Sequence, residues 1–132
     1  MATGALHCKD RYRAIELLEA SGPIELGASR ALQVVLCPVY LRGEAYLMLH
    51  DGNRAAGEFQ KFLDHRGLVG NFPWGSLARI GLARAYALDA AKDSAARDKA
   101  RTAYQEFLTL WKDADPDIPI LREAKSEYAK LQ

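Results

Sequence analysis

The stretch nearest to a catalytic signature is His65-Arg66-Gly67-Leu68, followed by Asn71. A protein-kinase catalytic loop needs an Asp after the Arg to take the substrate proton, and a metal-binding Asn at a fixed distance beyond it. Gly67 stands where that Asp belongs, and Asn71 arrives one residue early. No Gly-x-Gly-x-x-Gly and no Asp-Phe-Gly occurs, so phosphoryl transfer is not expected. Asp113, Asp115 and Asp117 begin like a calcium loop. Such a loop next needs Gly and then a bidentate Glu at its twelfth position. Ile118 and Ala124 occupy those places, so the aspartates are expected to punctuate and cap a helix. His7, His50 and His65 lie far apart, and none pairs with a His or Cys at metal-ligand spacing. His50 and His65 are expected near helix C-termini, where a donor or cation is welcome. No serine has the context of a nucleophile elbow. The chain is expected not to be an enzyme and to carry no cofactor and no metal.

Composition narrows the classes further. Lys plus Arg is 18 and Asp plus Glu is 17, a formal charge of +1, without the basic excess a nucleic-acid binder carries. Hydrophobic residues are 49% of 132, enough for one packed domain. Cys8 and Cys37 form no Cys-x-x-Cys pattern and are expected as reduced thiols. The start is short of apolar residues and gives no secretory signal. No run approaches the roughly 20 apolar residues of a membrane span. A cytoplasmic protein touching neither nucleic acid nor membrane is expected.

The elements follow from spacing. Between residues 36 and 111 one pattern occurs twice: Gly43, Tyr46, Ala55, Phe59, Phe62, and then Ala83, Tyr86, Ala100, Tyr104, Phe107. Its intervals of three and four are helix-neighbour spacings. Each copy therefore reads as two helices, and such a hairpin buries its apolar face only by stacking on others. The expected fold is all-α, with about six helices in one domain over 1–132. Residues 9–35 form an N-terminal helix and connection, 36–69 repeat one, 76–114 repeat two with an insertion, and 117–131 a capping helix. The first helix is expected over 9–21 after a loose start, ended by Gly22-Pro23, and 29–36 as a further helical turn. Next come helices over about 38–49 and 54–65, joined by the turn His50-Asp51-Gly52-Asn53. Residues 66–75 are expected as a loop pinned by Phe72 and Trp74, with Ser76 as the following N-cap. From Tyr46 to Ala55 is nine residues and from Tyr86 to Ala100 fourteen, so five residues extend the second hairpin's helices or its loop. In the last helix Leu121, Ala124, Tyr128 and Leu131 share one face and charged residues the other, as a terminal cap requires.

These paired small and aromatic residues resemble the tetratricopeptide repeat (TPR) family over about 36–116. Several positions depart from it. Arg42 stands where the family favours Leu, and Val39 and Arg79 where it has Trp. Gly67 replaces one closing Pro, and the other drifts to Pro116. Gly43 and Ala83 are 40 residues apart, against about 34 in the family. The stretches 58–69, 82–88 and 103–120 are similar to C-terminal TPR regions of bacterial, especially acidobacterial, serine/threonine kinases and winged-helix regulators. The resemblance implies a protein–protein interaction or scaffold module at the end of a signalling protein. It also implies that the first helix of each hairpin lines a concave groove. Tyr40, Glu44 and Leu47 fall on one stripe of such a helix, and Ile80, Arg84 and Ala87 repeat that geometry. Tyr40, Glu44, Leu47 and Arg84 are thus the expected partner-binding residues. The plainer alternative is a solvated face with a Glu44–Arg84 pair, worth little when exposed. Two rival functions are self-association as a homodimer through an unsealed end near 9–21, and ligand binding with the Phe72–Trp74 loop as a lid.

Overall fold

A computed structural model describes residues 2–26, 36–68 and 73–132, with side chains from residue 9 onward. Its helices are α1 (Ala2–Glu19), α2 (Cys37–Met48), α3 (Gly52–Asp64), α4 (Trp74–Asp89), α5 (Ser94–Leu110) and α6 (Pro119–Ala129). One 3₁₀ turn, Arg66–Leu68, follows α3. Among the described residues there is no strand, so the all-α expectation holds.

Neighbouring helices run antiparallel. Arg54 lies over the Tyr46 ring and Tyr40 packs against Phe62, so α3 returns along α2. Gly52 touches Ala85 while Phe59 touches Gly81, so α4 returns along α3. Lys99 lies over Tyr86 and Arg79 pairs with Glu106, which sets α5 against α4 in the same way. Arg11 donates to the Met48 carbonyl and Arg42 to that of Leu18, which runs α1 against α2. α2 and α4 then lie side by side in one direction, through Tyr40 on Trp74 and a shared contact with Phe59.

That shared ring is the centre of the first core. Phe59 is fully buried between Gly43 of α2 and Gly81 of α4. A methyl on either glycine would sit under 3 Å from the ring, so only glycine admits it. The repeat pattern pairs Gly43 with Ala83, whereas the residue that faces Gly43 across Phe59 is Gly81. Ala83 is buried in a second core with Tyr104, Phe107, Leu121 and Ala124.

Several boundaries differ from expectation. α1 begins at Ala2, so the residues expected to be loose are helical. The proposed turn over 29–36 lies outside the described residues except for Leu36, and Phe72 lies outside them too. Trp74, expected in a loop, opens α4, and Ser76 is in its first turn rather than its cap. The cap residue is Pro73, whose carbonyl accepts from Ser76 and Leu77. Ile118, not an aspartate, caps α6. Asp115 instead accepts from the Asp117 amide within the preceding turn.

The five added residues of the second hairpin are divided between helix and turn. α4 runs one residue further past its Tyr than α2 does, α5 begins three residues earlier before its Ala than α3, and the turn is longer by one. Asp93 caps α5 by accepting from Ala95, as Asp51 caps α3 by accepting from Arg54.

Candidate functional site

The four residues singled out on the inner helices divide into three environments. Tyr40 is half-buried, with its ring edge-on to Phe59, Phe62 and Trp74 at 5.6, 6.1 and 4.9 Å. Burial, and then the adjacent Glu44 carboxylate, push its phenol above the ordinary tyrosine range. Leu47 packs against the same core. Both side chains therefore serve the interior before any partner. Trp74, by the same contacts, is a packing residue of this core.

Arg84 is held by α6. Its Nε and Nη2 fork onto Glu127 at 3.0–3.2 Å, and Nη2 also donates to Glu123 at 3.0 Å. The Tyr104 hydroxyl donates to the same Glu127 at 2.8 Å. Burial works against the Arg84 charge, but Glu127 and then Glu123 outweigh it and raise its pKa. The cation expected to touch a partner, or in the plainer alternative to pair with Glu44, is thus spent on docking the last helix. Arg84, Ala87, Leu88 and Tyr104 line a shallow cavity of about 340 Å³ with the end of α6.

Glu44 lies at the rim of a different cleft, of about 520 Å³, between α1 and α2. Its apolar lining is Ala14 and Leu18 of α1 and Leu41, Ala45 and Met48 of α2, and its polar lining is Asp10, Arg11 and Glu44. The α2 residues fall at i, i+3, i+4 and i+7, one continuous helical stripe. Leu41 is 43% and Met48 55% exposed, a high fraction for large apolar side chains on one helical stripe. The sequence reading placed the groove one stripe away, through Tyr40 and Leu47. Leu41 and Met48 carried a usable signal in their spacing from Glu44 and Ala45.

A buried ion cluster holds the cleft's walls in place. Arg42, 4% exposed, forks onto Glu25 at 2.9 and 3.1 Å, reaches Glu58 at 2.8 Å and donates to the Leu18 carbonyl at 3.1 Å. Lys61 pairs with Glu25 from α3. Two cations and two carboxylates thus tie the segment after α1 to α2 and α3. Burial alone would raise the Glu25 carboxyl; hydrogen bonds and charge from Arg42 and Lys61 outweigh it and hold it below its ordinary value. Arg42 was visible in the sequence only as a departure from a favoured Leu. Its partner Glu25 lies 17 residues upstream with no periodic link to it.

Among the described residues no three His, Cys, Asp or Glu side chains gather as a metal site, and no helix is long and apolar enough to cross a membrane. Cys37 is a half-buried free thiol. No family model, curated protein or solved structure matches the chain.

Proposed function

We propose that the chain is a non-catalytic protein–protein interaction module, a short stack of TPR-like helical hairpins forming the interaction end of a bacterial signalling protein in the cytoplasm. The TPR-like reading is supported by the antiparallel helix order and by Gly43, Ala55 and Phe59 being buried in the first hairpin, as Ala83, Ala100 and Tyr104 are in the second.

The observation that carries the functional reading is the apolar cleft between α1 and α2. Two helices flank it, and α2 offers Leu41, Ala45 and Met48 along one stripe. That is the geometry into which an amphipathic partner helix lays its apolar face. Glu44 at the rim is the polar anchor of this mode, so of the four candidate residues it is the one in direct contact. Tyr40 and Leu47 stiffen the helix that carries it, and Arg84 fixes the far end of the stack.

A display-library selection tests this. Peptides are enriched on the intact protein and counter-selected on Leu41→Glu/Met48→Glu. The proposal expects amphipathic helical sequences that bind the intact protein and lose about tenfold or more affinity on the double variant, the cost of burying unpaired charge. Peptides that bind both forms equally, or no enrichment at all, contradict it.

Self-association is the second reading, favoured by the N-terminal end. Tyr12 is 54%, Leu17 68% and Ile24 71% exposed there, whereas α6 exposes Arg122 and Lys125, and its C-cap is Lys130. A homodimer through that end shows in light scattering as a mass that rises with concentration and that Leu17→Glu returns to the monomer value.

A further inference from the structure

A second cleft lies between α3 and α5, over α4. It encloses about 450 Å³, within the range of small-ligand pockets. Leu63, Leu82 and Ala103 give it an apolar floor, with Tyr86 at one side. Its rim carries Arg66, Arg79 and Lys99 against Asp64, Asp98 and Glu106, so no net charge draws a ligand in. Selectivity must come from one group, and Arg79 differs from the rest.

Among the described residues, Arg79 pairs with Glu106 through Nη1 alone. Its Nε is covered from solvent and has no acceptor among the described residues. A buried donor left unmet is destabilising and favours any acceptor that can reach it. A guanidinium prefers a carboxylate on two parallel N–H groups, and the Glu106 contact leaves that preference unmet. Glu106 is 53% exposed, so its pair with Arg79 is weakly held against exchange. The pair also borders a neighbouring cavity of about 330 Å³ toward Leu110, so Arg79 has room to swing. Asp64 accepts from Gln60, and no ion pair joins it to Arg79 among the described residues.

We infer that this cleft receives the carboxylate of a ligand with an apolar body, with Arg79 as the receiving group and Glu106 as the internal carboxylate it displaces. Once Arg79 swings away from Glu106 and uncovers its Nε, the incoming carboxylate takes Nε and one Nη while its apolar part covers Leu63, Leu82 and Ala103. This site is independent of the helix-binding cleft between α1 and α2.

The test is a heteronuclear NMR titration of the full chain with two carboxylates and their neutral twins. Phenylacetate against phenylacetamide represents a free acid. N-acetyl-Leu-Glu-amide against N-acetyl-Leu-Gln-amide represents an acidic protein side chain. At least one acid should shift the Arg79, Lys99 and Ala103 amides while its amide twin does not, and the stronger of the two names the source. Arg79→Lys keeps the charge but loses the fork and should weaken that acid about tenfold. Glu106→Gln removes the competitor and should tighten it. The inference is overturned if neither acid shifts these resonances, if the amide twins shift them equally, if Arg79→Lys binds as well as the native chain, or if Glu106→Gln binds no tighter.

Discussion

A Cβ on Gly81 would stand 2.6 Å from the Phe59 ring and one on Gly43 2.8 Å, with the ring unable to retreat from either. Gly43→Ala and Gly81→Ala should each destabilise the chain by about 1–3 kcal/mol in urea unfolding, the usual cost of overpacking a filled core. Gly57 lies mid-helix with nothing near its Cβ, so Gly57→Ala should stabilise by about 0.5–1 kcal/mol. Equal effects at the three positions would refute the wedge. The turn before α3 shows why such roles are hard to read from sequence. In His50-Asp51-Gly52-Asn53 the glycine looks like the residue supplying positive φ. His50 supplies it, at φ 57°, and closes α2 with amide bonds from His50 to Leu47 and from Asp51 to Tyr46. Gly52 is needed instead where α3 meets α4, since its Cβ would lie 2.6 Å from the Ala85 carbonyl oxygen. Ala78, Gly81 and Ala85 recur at helical spacing as a buried small face of α4, a signal in the sequence that the Gly43–Ala83 pairing masked.

At the level of elements, two polar clusters do what apolar packing does elsewhere. Glu25, Arg42, Glu58 and Lys61 fasten the segment after α1 to the first hairpin. Arg42→Met should cost about 3–5 kcal/mol, because it leaves Glu25 buried with only Lys61. Glu25 titrates below its ordinary value of 4.5 in the folded chain, so its contribution is complete above that pH and is lost as pH falls through the depressed value. Unfolding followed from pH 7 to pH 3 should therefore show a loss of stability at the acid end that is smaller in Glu25→Gln. The second cluster joins Arg84 and Tyr104 to Glu127. Glu127→Ala should speed amide exchange across α6 while α2 and α3 keep their protection; uniform acceleration would mean α6 is not a separately docked element. Helix existence was legible because apolar spacing reports burial directly. Caps and ion pairs were not: Ser76, Asp117 and Asp115 have capping side chains, but Pro73 and Ile118 occupy the caps, and the partners of Arg42 and Arg84 lie 17 and 43 residues away.

For the whole molecule, the two ends of the stack differ. α6 closes one end by burying Leu121 and Ala124, pairing Glu127 with Arg84 and leaving Arg122 and Lys125 exposed. The other end leaves Tyr12, Leu17, Leu41 and Met48 largely exposed around the α1–α2 cleft. The all-α class was readable from the helical spacing of small and aromatic residues. The location of the apolar cleft was not, since it depends on how α1 lies against α2, and α1 has no counterpart in the repeat. The most direct measurement is chemical-shift mapping of a selected amphipathic peptide on the full chain. The account predicts perturbations concentrated at Ala14, Leu18, Leu41, Ala45 and Met48, with α5 and α6 unmoved. Shifts confined to α5 and α6, with α1 and α2 silent, would contradict it.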